Sequence, residues 1–327
     1  MSEPAATDIN AASPSVLNKF IGNRSVVERV QVALEAAWAD GVKFPNTLMV
    51  GPPGLGKTLL ATIISREMGN ETLREQLGSN LNFRGTLAGF LLDPNEREVA
   101  LIDEADNMTS QAQVGLYRAL EDKRVFGDAC GPESSKAIAI SDFSLLCCTN
   151  HEHSLVAPLR ERFRLILRFD YYTAEEMVKV IDQRAKMLRW DVAPEVLPLL
   201  AQRGRGVPRV GLRLLEACRR TARAEGATTI TVAHFERTVK LEGIDNLGLD
   251  ELERRYLAYL AEADGTVRVG VIAARLGLPM QTVSDVVEDY LIREGLILRT
   301  ECGRALTPKG LRHVKGESET AAESKGA

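Results

Sequence analysis

Hydrophobic residues recur along the first half of the chain in two alternating patterns. Continuous apolar runs at residues 46–50, 98–102 and 143–146 are typical of strands that are buried on both faces. Between them lie segments with apolar residues at helical spacing, such as residues 59–68. This alternation, which continues to about residue 169, predicts a largely parallel α/β sheet covered by helices.

The second half of the chain shows a different pattern. Residues 173–243 are purely helical in periodicity, and Thr173 with Glu176 predicts a capping box at the first of these helices. Three further helical segments follow, and then two strand-like runs separated by a turn at Cys302 and Gly303. Three short helices before a β-hairpin is the order of a winged helix, whose third helix takes the position of a DNA reader.

We therefore predict an α/β core, an all-helical lid and a C-terminal winged helix. The predicted boundaries are residues 14–168 for the core, 169–245 for the lid and 246–314 for the winged helix. The flanking segments 1–13 and 315–327 are polar and rich in small residues, so they are expected to be disordered tails.

Composition narrows the class of protein only slightly. The chain has 327 residues, of which 45% are hydrophobic and 26% charged, as in ordinary soluble proteins of two or three domains. It contains no apolar run approaching a membrane span and no secretory signal pattern. We therefore expect no association with a membrane and a cytoplasmic location. The net charge of −4 argues against simple electrostatic wrapping of nucleic acid, although a local basic site remains compatible with it.

The five cysteines do not form a metal or disulfide pattern. Their number is odd and none occurs as C-x-x-C, so a disulfide or zinc framework is not expected. Cys147 and Cys148 lie close to His151 and His153, but this spacing matches no standard zinc site. We predict that both cysteines are small buried residues on a core strand.

One segment identifies the chemistry of the core. It reads G-x-x-x-x-G-K-T and comprises Gly51, Pro52, Pro53, Gly54, Leu55, Gly56, Lys57 and Thr58. This is the phosphate-binding loop of P-loop NTPases, between a predicted strand and a predicted helix. Glycines admit backbone N–H groups to phosphate oxygens, Lys57 reaches the β- and γ-phosphates, and Thr58 ligates Mg²⁺. The sequence thus predicts binding of ATP with Mg²⁺.

A second acidic segment supports ATP hydrolysis. Asp103 and Glu104 directly follow the apolar strand pattern at 98–102. An acidic residue at such a strand end holds Mg²⁺ in P-loop ATPases, and the adjacent Glu104 is placed to orient the attacking water. The alternative is a solvated strand end, and we interpret Asp106 as a solvated or capping residue.

The predicted wing carries a local excess of basic residues. The wing and its surroundings contain two acidic residues, Glu294 and Glu301. Their basic residues are Arg293, Arg299, Arg304, Lys309, Arg312 and Lys315. Contact with DNA phosphates and a solvated surface on a protein-binding winged helix are both compatible with this pattern. For the first alternative, the candidate DNA contacts are Arg299, Arg304, Lys309 and Arg312.

Several motifs together resemble the RuvB family, the AAA+ motors of Holliday-junction branch migration. Besides the phosphate loop, residues 158–163 read P-L-R-E-R-F and residues 205–210 read R-G-V-P-R-V, close to the family's P-L-R-[DS]-R-F and R-G-T-P-R-I. Residues 289–295, followed by Arg299-Thr300 and Gly303-Arg304, are similar to the family's winged-helix motif. The resemblance covers residues 14–314 and implies an AAA+ fold.

This resemblance also implies roles for individual residues. Arg162 matches the arginine finger, which reaches the ATP of a neighbouring subunit and implies a homo-oligomeric, hexameric ring. Arg209, next to Pro208, matches the sensor-2 arginine, and Thr149 and Asn150 lie at the sensor-1 position. The implied adenine-side contacts are Ile21, Gly22 and Tyr172.

Four departures from the family concern the ATPase motifs, the docking hairpin and the wing. The family reads D-E-I-H where this chain has residues 103–106, and T-T-R where it has 149–151. The hairpin that docks the junction-binding partner RuvA corresponds to Gly127 through Ile140 and is shortened here; Ile138 and Ile140 are its candidate apolar contacts. The wing has Glu301-Cys302 in place of P-R.

The sequence leaves three hypotheses. The first is an ATP-driven DNA translocase that moves on duplex or four-way-junction DNA in recombination and repair. The second is a divergent AAA+ loader or protein-remodelling switch without branch migration. The third is a nucleotide-gated binding module without turnover, which the apparently complete catalytic set disfavours. We favour the first, because the winged-helix match is not explained by general AAA+ ancestry.

Overall fold

The computed structural model describes residue 9 and residues 13–70, 72–126, 137–263 and 265–323, with side chains as far as residue 316. The chain divides into two compact units. The first comprises Met1–Val192 and Gly206–Glu216, and the second Ala193–Arg205 and Ala217–Ala327. The residues of the predicted lid are shared between the two units, and the predicted domain boundaries stay a prediction.

The strands of the described residues are short. They are β1 (Thr47–Val50), β2 (Arg74–Leu77), β3 (Val99–Asp103), β4 (Arg124–Phe126), β5 (Ala137–Ala139), β6 (Ser144–Thr149), β7 (Leu165–Arg168), β8 (Asp191–Val192), β9 (Thr229–Ile230), β10 (Ile297–Thr300) and β11 (Gly303–Leu306). Of these, β1, β3 and β6 coincide with the three predicted apolar runs. The two-residue strands β8 and β9 lie in the segment predicted to be purely helical.

The helices follow the predicted periodicities closely. They are α1 (Arg24–Asp40), α2 (Lys57–Glu67), α3 (Arg84–Leu92), α4 (Ser110–Asp122), α5 (Ala157–Arg160), α6 (Ala174–Met187), α7 (Val196–Arg203), α8 (Pro208–Ala224), α9 (Val232–Leu241), α10 (Glu251–Ala263), α11 (Val269–Leu276), α12 (Met280–Thr282), α13 (Glu288–Arg293) and α14 (Pro308–Glu323). A π-helical turn, Val283–Val287, joins α12 to α13. The predicted capping box of Thr173 and Glu176 is present at α6.

The first unit is built on a five-stranded parallel sheet in the order β2-β3-β6-β1-β7. Strands β1, β3 and β6 are almost fully buried, which explains their continuous apolar runs. Cys147 and Cys148 are fully buried on β6, as predicted. Because β1 lies between two strands that come later in the chain, the sheet has a topological switch point at β1, and α/β proteins bind ligands at such points.

A small hairpin projects from the same unit. Strands β4 and β5 pair antiparallel, with Val125 opposite Ile138. Ile138 is 47% exposed, whereas Ile140 is buried in the core of the unit. Ile140 is therefore a packing residue, and the expectation that it provides an exposed docking contact was wrong. Residues 127–136 of the predicted docking hairpin lie outside the described residues.

The second unit contains the predicted winged helix. Helices α10 to α13 and the antiparallel hairpin β10–β11 enclose a common core that includes Tyr256, Leu257, Ile272, Leu291 and Leu296. Helix α14 follows the hairpin and continues to Glu323, so part of the predicted tail 315–327 is helical. The alanine and glutamate residues of this segment favour helix even where no core is available to bury them.

Candidate nucleotide site and winged helix

The phosphate loop leads from the carboxyl end of β1 into α2. Gly51, Gly54 and Gly56 all have positive φ, a conformation that side-chain-bearing residues rarely adopt. A Cβ on Gly54 would lie 2.9 Å from the Cβ of Arg209, so this position also requires glycine for close packing. The loop therefore has the tight backbone path that a phosphate-binding loop needs.

Lys57 lies inside this loop and is only 7% exposed. Its ammonium group donates to the carbonyls of Gly51 (2.6 Å) and Pro52 (2.8 Å) and to Asn150 Oδ1 (3.0 Å). Burial lowers the pKa of Lys57, and the nearby carboxylates of Asp103 and Asp106 oppose this shift. The structure thus joins the phosphate-loop lysine to the predicted sensor-1 residue at the end of β6.

The two candidate Mg²⁺ ligands are in direct contact. Thr58 Oγ1 donates to Asp103 Oδ2 at 2.7 Å, so a hydroxyl and a carboxylate converge at the start of α2. Mg²⁺ prefers such oxygen ligands and is held by one or two carboxylates together with phosphates and water. In the described residues no group of three His, Cys, Asp or Glu side chains is arranged to hold a metal ion without a further ligand. The pair therefore fits a cation that arrives with a nucleotide.

Glu104 follows at the edge of the same cleft. Its backbone is left-handed, with φ of 51°, and its N–H donates to Asp103 Oδ1 at 2.9 Å. Its carboxylate accepts from Asn107 Nδ2 at 3.0 Å, which leaves its other oxygen available to a water molecule. The geometry suits a carboxylate that orients an attacking water.

Thr149 and Asp106 form a contact that the sequence did not reveal. Thr149 is buried, and its hydroxyl donates to Asp106 Oδ1 at 3.0 Å. Asp106 is therefore a half-buried hydrogen-bond acceptor, unlike the solvated or capping residue that we had expected. The contact joins the turn after β3 to the end of β6, and the two residues are 43 positions apart in the chain, so no local pattern could indicate it.

Residues from outside the sheet complete the cleft. It has a volume of about 460 Å³ and is lined by Ile21, Pro53, Gly54, Gly56, Lys57, Thr58, Asp103, Glu104, Asn150, Tyr172, Pro208 and Arg209, among others. The backbone N–H of Arg209, in the first turn of α8, donates to Gly54 O at 3.3 Å. The structure therefore brings the predicted sensor-2 arginine to the phosphate loop.

Tyr172 packs between the loop and Gly22. Its hydroxyl donates to Leu55 O at 3.1 Å, and burial raises the pKa of this tyrosine. A Cβ on Gly22 would lie only 2.4 Å from the ring. The two residues therefore fit each other closely at one wall of the cleft, beside Ile21.

Sequence reasoning missed two arginines in the same cleft. Arg184 and Arg213 both line it, on α6 and α8. Arg184 is buried, and its guanidinium donates to the carbonyl of Ile9. Both residues fall in helices of strong amphipathic pattern, where an arginine is normally read as part of a solvated face.

Arg162 is placed elsewhere in the first unit. It is 40% exposed and pairs with Glu121 at 2.7 Å. Among the described residues, it is not one of those that line the nucleotide cleft of its own chain. A role in ATP hydrolysis therefore requires a second copy of the chain.

The four candidate DNA contacts of the winged helix differ in what they touch. Arg299 and Arg304 are opposite each other on β10 and β11, and both pair with Glu288, which is fully buried. Arg304 is only 15% exposed, and its hydrogen bonds to Glu288 raise its pKa. Lys309 pairs with Glu294, whereas Arg312 is exposed.

The exposed side chains of the third helix of the winged helix, residues 280–293, are acidic or uncharged except for Arg293 at its C-terminal end. They include Asp285, Val286 and Asp289, together with Met280 at the start of the helix. Carboxylates on this face would repel phosphates. Of the surfaces in the winged helix, the wing and α14 are therefore better suited than the third helix to contact a DNA backbone.

Fold and cleft together define a P-loop ATPase that carries a winged helix. Comparison with protein families identifies the particular kind. The P-loop domain of the Holliday junction DNA helicase RuvB matches residues 12–169, the RuvB AAA lid domain 172–245, and the RuvB C-terminal winged helix domain 246–315. The chain belongs to the RuvB family.

Individual relatives agree with this assignment. The chain is 38% identical over 307 residues to the Holliday junction branch migration complex subunit RuvB of Granulibacter bethesdensis, covering 92% of this chain and 85% of the relative. The same subunit of Kosmotoga olearia is 36% identical, with coverage of 92% and 89%.

A solved structure is similar over nearly the same length. It is the RuvB Holliday junction branch migration motor of Thermotoga maritima, which is 33% identical. The TM-score is 0.82, and the similarity covers 93% of this chain and 98% of the other. In the described residues no helix is long and apolar enough to cross a membrane.

Proposed function

We propose that this chain is the ATP-driven motor of a Holliday-junction branch-migration complex in DNA recombination and repair. The observation that carries the proposal is the convergence of three strand ends at one cleft. Lys57 after β1 donates to Asn150 after β6, and the adjacent Thr58 donates to Asp103 at the end of β3, next to Glu104. The winged helix supplies the second requirement, a module that can contact DNA.

The chain's own residues divide the work of hydrolysis. The loop glycines and Lys57 bind and orient the phosphates, while Thr58 and Asp103 would hold Mg²⁺. The bound ion would supply charge stabilisation at the phosphates. Glu104 orients water, and Asn150 and Arg209 contact the phosphate end of the nucleotide. Such orientation of a water or proton contributes about 10²–10⁴-fold to rate.

Arg162 completes the site from a neighbouring subunit in a ring, which we propose to be a hexamer. It is exposed and lies outside its own chain's cleft, as a residue acting between subunits must. An arginine at this position stabilises transition-state charge and is worth about 10³–10⁵ in rate.

The DNA, four-way junction or duplex, is gripped through the wing and α14, with Arg299, Lys309 and Arg312 as the outward candidates. Among these, Arg299 is 48% exposed despite its contact with Glu288. A RuvA-like junction-binding protein docks at the β4–β5 hairpin, where Ile138 is the exposed apolar residue. We assign the complex to the cytoplasm.

ATP turnover with and without four-way-junction DNA and RuvA tests this proposal. We expect stimulation by both, and loss of turnover in Lys57→Ala and Glu104→Gln. Branch migration of a labelled junction separates the proposal from the alternative of a loader or remodelling switch. Such a switch would hydrolyse ATP in response to another protein and would leave the junction unchanged.

Mixed rings test the intersubunit role of Arg162. Glu104→Gln and Arg162→Ala chains should each be inactive alone. When they are mixed, some interfaces combine an intact Glu104 with an intact Arg162, so part of the activity should return. Arg164→Ala, an exposed arginine two residues away, is the matched control and should stay active. If mixing restores nothing, Arg162 does not act across an interface.

A further inference from the structure

Two of the chain's departures from its family lie against each other. Asp106 stands where the family motif has histidine, and residues 150–151 stand where it has threonine and arginine. The structure connects these positions through Thr149, whose hydroxyl donates to Asp106 Oδ1 at 3.0 Å and accepts from the backbone N–H of His151 at 3.0 Å. The unusual residues are therefore members of one hydrogen-bonded unit.

The direction of these bonds matters. A threonine hydroxyl has a single proton, so donation to Asp106 leaves its lone pairs to accept from His151. The carboxylate thereby fixes the orientation of the hydroxyl, and the hydroxyl fixes the backbone turn after β6. Asn150 lies between the two anchored residues, and its side chain accepts from Lys57 Nζ at 3.0 Å.

We propose that Asp106 is a positioning residue for ATP hydrolysis: it holds the end of β6 so that Asn150 faces the phosphate loop. The proposal deepens the ATPase function proposed above and depends on it. Asp106 itself does not touch the nucleotide. It acts through Thr149, which links the turn after β3, where Glu104 lies, to the end of the neighbouring strand β6, which Asn150 follows.

The burial of the contact supports a functional role. Thr149 is 1% exposed, and Asp106 is half-buried in the one-turn 3-10 helix Ala105–Asn107 directly after Glu104. Neighbouring Asn107 in this turn donates to Glu104. This short turn therefore contacts both the carboxylate of Glu104 and the end of β6.

The test compares three variants in the full-length chain. Asp106→Ala removes the acceptor, and kcat should fall roughly tenfold, which corresponds to the loss of one well-placed hydrogen bond. The KM for ATP should change less than threefold, because Lys57 keeps its hydrogen bonds to the loop carbonyls of Gly51 and Pro52. Asp106→Asn keeps a carbonyl oxygen for Thr149 and should restore most of kcat.

A double variant isolates the bond. Thr149→Val has nearly the same shape but lacks the hydroxyl. The kcat of the double variant Asp106→Ala/Thr149→Val should be no more than twofold below that of the less active single variant. The effects of two substitutions that remove the same interaction are not additive. Asp93→Ala, which removes a carboxylate paired with Arg74 on the outer strand, is the control and should leave kcat unchanged.

Hydrogen exchange gives a readout that is independent of turnover. The amide of His151 should exchange faster in Asp106→Ala than in the wild type, but not in Asp106→Asn. If the wild type lacks ATPase activity, the proposed function fails. If the wild type is active and Asp106→Ala keeps its kcat within twofold, or the double variant shows the full product of both losses, the inference about Asp106 is overturned.

Discussion

Replacement of Glu288 should loosen the winged helix strongly. Its carboxylate has no solvent exposure and accepts hydrogen bonds from Tyr256 Oη at 2.9 Å, Arg304 Nε at 2.9 Å and Arg299 Nε at 3.0 Å. It thus connects helix α10, the helix α13 and both strands of the wing. Glu288→Ala would remove the common partner of three donors.

The magnitude follows from what is left behind. Tyr256 is fully buried and Arg304 is 15% exposed, so neither group can turn freely to water. Removing one partner of a buried ion pair costs about 3–5 kcal/mol, because the remaining charge is uncompensated. Glu288→Gln keeps an acceptor oxygen but loses the charge, and its cost should be about 1–3 kcal/mol.

Hydrogen exchange measured by mass spectrometry can follow this region within the intact chain. About 3–5 kcal/mol corresponds to roughly two to four orders of magnitude in the local opening equilibrium. In Glu288→Ala, we expect hydrogen exchange to be faster by this factor in peptides of α13, β10 and β11. Exchange in the parallel sheet of the first unit should not change. The exchange rate of these peptides of the winged helix should increase from the wild type to Glu288→Gln and then to Glu288→Ala.

The matched control is Glu294→Ala. This glutamate also pairs with a basic residue of the same region, Lys309, but the pair is one-third to one-half exposed. Exposed ion pairs contribute about 0–1 kcal/mol, so exchange should change less than tenfold. Equal exchange rates in Glu288→Ala and Glu294→Ala would refute the argument that burial makes Glu288 important.

Three further predictions concern other parts of the molecule. Gly22→Ala should lower nucleotide affinity at least tenfold in a fluorescent-nucleotide titration, because its φ is +84° and the new Cβ would lie 2.4 Å from the Tyr172 ring; unchanged affinity would contradict this packing. Arg312→Ala should weaken DNA binding with unchanged thermal stability and reduce the salt dependence by about one ion, whereas Arg304→Ala should lower stability; the reverse pattern would remove Arg312 as a contact. Hydrogen bonds from Asn95, and then from Arg74, lower the pKa of Glu98 from 4.5 to about 2. The contribution of Glu98 to the free energy of unfolding is therefore complete above pH 4.5 and is lost as the pH falls towards 2, so urea unfolding of Glu98→Gln should lack this part of the pH dependence.

Local patterns predicted much of the fold correctly. Buried parallel strands and amphipathic helices have distinct periodicities, and the phosphate loop has a fixed spacing that the chemistry demands. The winged-helix order was confirmed for the same reason. The extension of α14 past residue 315 was missed, because the polar composition suggested disorder while the helix propensity of the same residues was overlooked.

The candidate site was predictable only where roles are local. Lys57, Thr58 and Asp103 each follow a recognisable strand, and the structure brings them together. The partners that orient them were not visible. Asp106 with Thr149 and Glu288 with Arg304 are contacts between elements far apart in sequence, and a single sequence contains no periodicity that links them.

These long-range contacts change how the charged residues of the wing are interpreted. A count of basic residues treats Arg299 and Arg304 as equal members of a DNA-binding face. In the structure they share one buried carboxylate, so the cluster carries a single net positive charge and Arg304 serves mainly to order the hairpin. The candidate phosphate contacts that remain are Arg299, which is 48% exposed, and the basic residues at the start of α14. We expect them to face DNA only while Glu288 holds the wing in place. Glu288→Gln removes a negative charge but should also loosen the wing. If it lowers DNA affinity, the order of the wing is the dominant requirement; if it raises DNA affinity, positive charge is.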